Sequence, residues 1–134
     1  DIETMVGCYD DQVIFYDPAF GELRGERARK MWRMLQARSK GNLKITYSKV
    51  HTHDKTGTAY WVAEYVFSKT GRKVVNHISA SFEFRDGKIV RHTDYFDLWK
   101  WSMQSLGVSG LMFGWTEWMQ KKIRKQALEQ LDKY

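Results

Sequence analysis

The sequence predicts a small α+β domain with a cone-shaped, curved antiparallel sheet, helices packed on its concave face, and a mostly apolar pocket between them. At 134 residues, the chain is long enough for one hydrophobic core and too short for two. Long alternating segments in the middle indicate strands, and amphipathic segments on both sides indicate helices that cover them. We therefore expect one domain over residues 1–134, with 106–134 as a C-terminal helical extension.

The first forty residues predict helical segments around one strand. Ile2–Tyr9 has the spacing of a helix end, so we expect a further helix before it. Val13–Asp17 is a strand ended by Pro18, and Ala19–Gly25 is a loop or a short hairpin. Glu26–Arg38 is an amphipathic helix with basic residues on its outer face. Its apolar stripe comprises Ala28, Met31, Trp32 and Leu35.

The middle of the chain predicts a meander of four antiparallel strands. The turns between them are Asp54–Gly57, Lys69–Lys73 and Asp86–Gly87, and the Asp-Gly pair is a strong hairpin signal. The four strands are Leu43–His53, Thr58–Ser68, Val74–Arg85 and Lys88–Asp97. The third alternates clearly, with Ile78, Ala80, Phe82 and Phe84 on one face and His77, Ser79, Ser81 and Glu83 on the other. One face is thus apolar, and helices must cover it.

The C-terminal quarter predicts two helices joined by a glycine-rich loop. Leu98–Leu106 is a short helix, Gly107–Gly114 the loop, and Trp115–Lys133 a final amphipathic helix. Its apolar stripe comprises Trp115, Trp118, Met119, Ile123, Ala127 and Leu131. The run Lys-Lys-Ile-Arg-Lys in this helix is also compatible with binding to a membrane surface. Packing of the stripe on the domain, or on a second copy, is the commoner use, and we prefer it.

The net charge of +6 comes largely from two clusters, Arg24–Lys40 and Lys121–Lys125. We interpret them as the solvated faces of amphipathic helices, because no nucleic-acid-binding motif accompanies them. No stretch approaches 18 apolar residues. We expect neither a nucleic-acid nor a membrane partner. The single cysteine, Cys8, is interpreted as a core residue, and its inability to form an internal disulfide fits a cytoplasmic protein.

Two carboxylates are the candidates for chemistry. Asp17 ends the first strand among bulky apolar neighbours, and Asp94 lies in the last strand. Alternation places His92, Asp94 and Phe96 on one face of that strand. Desolvation in an apolar pocket raises a carboxylate's pKa toward neutrality and makes it a usable base. The alternative is structural: Asp17 caps the turn before Pro18, and Asp94 pairs with an Arg or Lys.

No motif for a metal, a phosphate group or a serine nucleophile is present. His51 and His53 stand two residues apart on one strand face, without a nearby Glu-x-x-His or Cys pair. We therefore expect no metal and no cofactor.

Taken together, these segments resemble a known superfamily. The N-terminal DIETMVGCYDDQVIFYDPAFGELRG, the following helix and strands, and DGKIVRHTDYFDL are similar to the proteins named for nuclear transport factor two. Within it, residues 1–105 most resemble SnoaL-like cyclases, ketosteroid isomerases and limonene epoxide hydrolases. The resemblance implies a cone-shaped fold, a first helix ahead of the first strand, and dimers formed through the sheets.

The resemblance also implies roles for individual residues. Asp17 matches the catalytic base of the isomerases, and Asp94 matches a hydrolase carboxylate and the acid/base of the cyclases. The protonated aspartic acid that forms part of the isomerase oxyanion hole falls near Ala80 here. The hydrolase Arg-x-Asp pair has no counterpart in Tyr60–Tyr65. Neither complete constellation is therefore present.

These observations lead to one preferred function and two alternatives. We expect an enzyme that transfers a proton on a small hydrophobic carbonyl compound, with Asp94 as acid/base and Asp17 and His92 in support. The ligand-binding residues would be Trp32, Tyr16, Phe82, Phe96 and Trp61. The alternatives are a non-catalytic ligand-binding or interaction domain, and a basic dimer that docks on a partner through its last helix. We also expect a homodimer formed by the convex face around His77, Ser79 and Ser81.

Overall fold

The computed structural model describes residues 2–39 and 41–134, which form six strands and five helices within these ranges. In chain order the elements are α1 (Ile2–Gly7), β1 (Tyr9–Asp17), β2 (Gly21–Arg24), α2 (Glu26–Ser39), β3 (Lys44–His53), β4 (Thr56–Phe67), β5 (Arg72–Arg85), β6 (Lys88–Tyr95), α3 (Leu98–Leu106), α4 (Val108–Phe113) and α5 (Glu117–Lys133).

The strands form one curved, unclosed sheet in the order β2-β1-β6-β5-β4-β3. The predicted antiparallel meander is confirmed, because β3, β4, β5 and β6 each pair antiparallel with the next strand. The Asp-Gly turn between β5 and β6 has positive φ at both residues, 51° at Asp86 and 76° at Gly87. That is the geometry of the hairpin turns that these two residue types favour.

The N-terminal strand makes the sheet mixed, which the sequence does not indicate. β1 runs parallel to β6, with Phe15 opposite His92, and α2 and the other strands form the connection between them. The helix predicted over Ile2–Tyr9 ends at Gly7, because Tyr9 already pairs with Ile89 in the sheet. The segment 19–25 is a hairpin strand, since β2 pairs antiparallel with β1.

Helix α2 packs on the concave face of the sheet and confirms most of the predicted stripe. Ala28, Met31 and Trp32 are buried. Leu35 is 37% exposed, and Met34 is buried in its place. The buried stripe is therefore rotated by one residue at the end of the helix.

The C-terminal region corrects two predictions. The predicted loop over Gly107–Gly114 contains helix α4, whose glycines allow a close approach rather than a flexible link. A Cβ atom on Gly110 would lie 1.9 Å from the backbone oxygen of Ser102. In α5 the buried apolar residues include Met119, Ile123 and Leu131, whereas Trp115 and Trp118 are both 62% exposed.

Cys8 corrects another prediction, because its side chain is exposed rather than in the core. Cys8 lies in the turn between α1 and β1. The nearby Val6 and Tyr9 are buried, whereas Cys8 is not. In the part of the chain that the structure describes, no helix is both long and apolar enough to cross a membrane.

Candidate functional site

A cavity of about 210 Å³ lies between the concave face of the sheet and the helices α2, α3 and α5. Its walls are mostly apolar and include Trp32, Trp61, Ile78, Phe96, Trp101 and Ile123. Two carboxylates, Asp17 and Asp94, also line it. The structure thus brings both predicted carboxylates to one apolar space.

Asp94 reaches the cavity because the alternation of β6 turns it toward the helices. Asp94 and His92 are each 2% exposed, while Tyr95 between Asp94 and Phe96 is 70% exposed. The Nε2 atom of His92 lies 2.7 Å from Oδ1 of Asp94. Among residues 2–39 and 41–134, no Lys or Arg forms an ion pair with Asp94, as the structural alternative would require, and its partner is His92.

A chain of hydrogen bonds continues behind His92. The indole Nε1 of Trp32 donates to the hydroxyl of Tyr9 over 2.9 Å, and that hydroxyl lies 2.6 Å from Nδ1 of His92. Burial raises the pKa of Tyr9, so its hydroxyl keeps its proton and can donate it to Nδ1. If Nδ1 accepts this hydrogen bond, the ring proton of a neutral imidazole lies on Nε2, which faces Oδ1 of Asp94.

Aromatic rings hold the imidazole of His92 on several sides. Trp32 stacks on it with an interplanar angle of 9° and a centroid distance of 6.0 Å. The ring centroid of Phe82 lies 4.4 Å from that of His92, and the ring of Phe15 is edge-on to His92 with a centroid distance of 5.1 Å. A ring held in this way cannot swing away from Asp94 without opening the core.

Asp17 ends β1; its side chain accepts backbone hydrogen bonds and also lines the cavity. Its Oδ1 accepts hydrogen bonds from the backbone N–H groups of Ala19, at 2.9 Å, and Phe20, at 2.6 Å. The expected turn-capping role is therefore present. Burial nevertheless raises the pKa of Asp17 to about 7; the Phe20 hydrogen bond opposes this shift and the negative charge of Asp94 adds to it.

The remaining predicted site residues fall into two groups. Trp32, Trp61 and Phe96 line the cavity. Phe82 and His92 are not among its lining residues; they pack on each other behind Asp94.

Tyr16 requires a correction to its predicted place in the pocket. It precedes Asp17 on β1, so its side chain points to the other face of the strand, where it is 40% exposed. It is not among the residues that line the cavity.

Several polar residues of the site are absent from the sequence-based prediction. Tyr9 falls at the end of the predicted first helix, and its contact with His92 joins residues 83 positions apart, for which the sequence carries no local signal. Asn76 and Tyr65 also line the cavity. Strand alternation is a signal that could find both, because Asn76 shares a face with Ile78, and Tyr65 with Trp61.

The described residues contain no group of three or more His, Cys, Asp or Glu side chains that could hold a metal ion. His51 and His53 are exposed on β3, at the edge of the sheet.

The comparisons with known proteins identify a family and a fold. A family model for the SnoaL-like domain matches residues 1–92. A search of curated proteins finds no match.

Solved structures share the fold at low sequence identity. An epoxide hydrolase of the limonene type from M. tuberculosis is 20% identical, with a TM-score of 0.61, over 84% of this chain and 83% of its own. A protein with a ketosteroid-isomerase-like fold from Catenulispora acidiphila, crystallised with trimethylamine, is 17% identical, with a TM-score of 0.61. The match covers 78% of this chain and 81% of that protein. TerC, crystallised with polyporic acid, is 19% identical, with a TM-score of 0.60. The match covers 72% of this chain and 79% of TerC.

Proposed function

The chain belongs to the SnoaL-like domain family, and from that premise we propose that it is a cofactor-independent enzyme that transfers a proton on a small hydrophobic carbonyl compound. The observation that carries the proposal is the carboxylate of Asp94, at the wall of an apolar cavity and held from behind by His92. A carboxylate in such surroundings is poorly solvated by water and is therefore suited to act as a base.

In the proposed reaction, Asp94 removes a proton from the carbon atom beside the substrate's carbonyl group. The electron pair of the broken C–H bond moves onto the carbonyl oxygen, which becomes an enolate. In a substrate with a C=C bond next to that carbon, the proton on Asp94 then returns to the far carbon of the conjugated dienolate and the carbonyl re-forms, which completes an isomerisation. In a cyclisation, the enolate carbon instead attacks a second carbonyl group of the substrate, whose oxygen receives the electron pair and takes up the proton from Asp94. His92 donates its Nε2–H to Oδ1 and so leaves the other oxygen of Asp94 for the substrate.

Asp17 is proposed to support the developing negative charge. With a pKa of about 7, a substantial fraction of this carboxyl group is protonated at neutral pH. A protonated carboxyl group in the cavity can donate a hydrogen bond to the carbonyl oxygen as it becomes an enolate. Two carboxyl groups with different surroundings in one cavity are a common arrangement for acid and base roles.

The structural neighbours support a small organic substrate. An epoxide hydrolase and a protein crystallised with polyporic acid share this fold, at identities of 20% and 19%. The mostly apolar walls of the present cavity suit a hydrophobic molecule of this kind.

The test measures proton transfer directly. The protein is incubated in D₂O with a panel of hydrophobic ketones and esters, chosen after mass spectrometry of any compound that co-purifies with it. We expect deuterium to enter the carbon beside the carbonyl, as followed by NMR, and Asp94→Asn to abolish the exchange while the circular dichroism spectrum is unchanged.

Asp54→Asn is the matched control, because Asp54 is an exposed carboxylate in the β3–β4 turn with a positive φ that asparagine tolerates. It should exchange protons like the parent protein. A ligand that binds in the cavity, with no exchange above the Asp94→Asn background, would instead indicate a non-catalytic binding domain.

A further inference from the structure

A patch of large apolar side chains stands in solvent on α4 and at the start of α5. Single exposed apolar residues are ordinary, but a group of large exposed apolar residues close together in the chain, with Phe113 and Trp118 in ring contact, is typical of an interaction site. We call it the α4 patch; it comprises Val108 (72% exposed), Leu111 (52%), Met112 (57%), Phe113 (44%), Trp115 (62%) and Trp118 (62%).

The packing of α4 forces these side chains outward. The inner side of the helix is Gly110, its one buried residue, and a Cβ atom there would lie 1.9 Å from Ser102 O. Gly114 has the same close approach, with Ser102 Oγ 1.9 Å from a Cβ position. Small residues therefore face the protein and large apolar ones face outward, the reverse of an ordinary amphipathic helix.

Two indole N–H groups, one in the patch and one beside it, are already hydrogen-bonded within the protein. The indole Nε1 of Trp115 donates to the backbone oxygen of Met112 at 3.0 Å. Trp99 beside the patch donates in the same way to Leu111 O at 3.2 Å. These rings can leave water without losing a hydrogen bond, which lowers the cost of burying them.

The exposed face of α5 continues the patch with positive charge. Lys121, Lys122 and Lys125 follow Trp118 at three, four and seven residues, so all lie on one side of the helix. Nζ of Lys122 lies 5.4 Å from the ring centroid of Trp118. The one carboxylate that pairs with these lysines among the described residues is Glu117, 3.2 Å from Lys121 Nζ and itself exposed.

We propose that the α4 patch docks the protein on the surface of an anionic lipid bilayer. The aromatic and aliphatic side chains enter the headgroup region, and the three lysines lie against the lipid phosphates, as in other helices that bind at the membrane interface. The contact is peripheral. The preference for packing of the α5 stripe over membrane-surface binding requires an inward-facing stripe, whereas Trp115 and Trp118 are both exposed.

Charge favours the bilayer over a second copy of the chain. Each chain carries a net charge of +6, and a dimer through the patch would bring the two lysine faces together. An anionic surface instead neutralises them. α3 and α5, which flank the patch, also supply Trp101, Leu106 and Ile123 to the cavity wall, so the docked surface lies beside the site without being part of it.

The test is co-sedimentation of the full chain with vesicles of phosphatidylcholine alone, or of equal parts phosphatidylcholine and phosphatidylglycerol. We expect binding to the anionic vesicles, a shift of tryptophan fluorescence to shorter wavelength, and weaker binding as salt is raised. Trp115→Ala with Trp118→Ala, and separately Lys121→Gln with Lys122→Gln, should each weaken binding by about tenfold or more.

Matched controls change similar side chains elsewhere on the surface. Val50→Ala with Tyr134→Ala removes two exposed apolar groups, and Lys44→Gln with Lys55→Gln removes two exposed charges. Both controls should bind like the parent protein. The proposal is overturned if anionic vesicles do not bind the parent chain, if the controls weaken binding as much as the patch variants, or if the tryptophan pair instead dissociates a dimer.

Discussion

At the scale of single residues, Asp17 couples the stability of the fold to pH. Its carboxyl group is almost fully removed from water, and its Oδ1 accepts two backbone hydrogen bonds that hold the turn after β1. The turn needs an acceptor oxygen at this position but does not need a negative charge. Ionisation of Asp17 is therefore a cost of the folded state.

Asp17→Asn should stabilise the protein above neutral pH. The pKa of Asp17 is 3.8 when unperturbed and about 7 in the folded protein, so between these values the folded state holds a proton that the unfolded state has lost. The free energy of unfolding should fall by about 1.4 kcal/mol per pH unit over this range, roughly 4 kcal/mol in all. The asparagine variant keeps the acceptor oxygen but cannot ionise, so its free energy of unfolding should not fall over this pH range.

Urea unfolding at pH values from about 4 to about 8 measures the effect. The difference between variant and parent should grow with pH up to about 7 and then level off. Asp54→Asn, at an exposed turn, should leave the pH dependence of unfolding unchanged. Parallel curves for the parent and the Asp17 variant would show that the charge of Asp17 costs nothing in the folded protein.

Tyr9→Phe should both destabilise the protein and disturb His92. The substitution leaves the indole N–H of Trp32 and Nδ1 of His92 without their hydrogen-bond partner in a buried place. We expect a loss of about 1–3 kcal/mol in the free energy of unfolding. The ¹⁵N chemical shifts of His92 should report proton-free Nδ1 and protonated Nε2 in the parent, and a mixture of tautomers in the variant.

At the scale of elements, the contact between α3 and α4 leaves no space for a side chain at Gly110. Alanine normally stabilises a helix relative to glycine, yet Gly110 has the backbone of Ser102 where a Cβ atom would be. Gly110→Ala should therefore lower the free energy of unfolding by about 2–4 kcal/mol, because backbone atoms must move apart.

Gly7→Ala is the matched control for that substitution. Gly7 also lies in a helix, and a Cβ atom added to it would meet no atom within 4 Å outside its immediate neighbours. Thermal denaturation should show an unchanged or slightly raised midpoint for Gly7→Ala and a lowered midpoint for Gly110→Ala. Equal midpoints for the two variants would contradict the close packing of α3 on α4.

The elements that local patterns predict well are those with a strong period and clear turns. The four strands of the meander, α2 and α3 lie within two residues of their predicted bounds. The parallel pairing of β1 with β6 joins segments far apart in the chain, so no local pattern indicates it. The segment of α4 has the composition of a flexible link because of its glycines, and the close contact with Ser102, which no local pattern indicates, explains Gly110 and Gly114.

The candidate site is predictable to a similar degree and for a similar reason. Alternation along β6 is sufficient to place His92, Asp94 and Phe96 on one face. The partner of His92 is Tyr9, which depends on the parallel pairing and therefore cannot be found from spacing. The apolar character of Trp115 and Trp118 predicts an inward position, but Trp115 precedes α5 and both side chains are exposed, whereas Met119 is buried.

At the scale of the whole molecule, the convex face of the sheet remains the predicted dimer interface. His77 and Ser79 are exposed there, and the hydroxyl of Tyr60 is hydrogen-bonded to Nδ1 of His77. We expect light scattering at micromolar concentration to give twice the mass of the chain. Ser79→Arg, in the centre of this face, should give the mass of one chain.

Gln36→Arg is the control, because Gln36 is exposed on α2, away from the convex face. It should remain a dimer. A parent protein that has the mass of a single chain would show that the convex face is not an interface between copies.

The pairing of β1 with β6 also has a consequence in time. During synthesis β1 leaves the ribosome early, but its parallel neighbour β6 is made only after β3, β4 and β5. The hairpins of the meander can form locally, whereas the contact from Tyr9 to His92 must wait for a loop of more than half the chain to close. The pocket wall includes Asp17 of β1 and Asp94 of β6, so we expect the pocket to be completed late, and the ability to hold a ligand to mark the completion of folding.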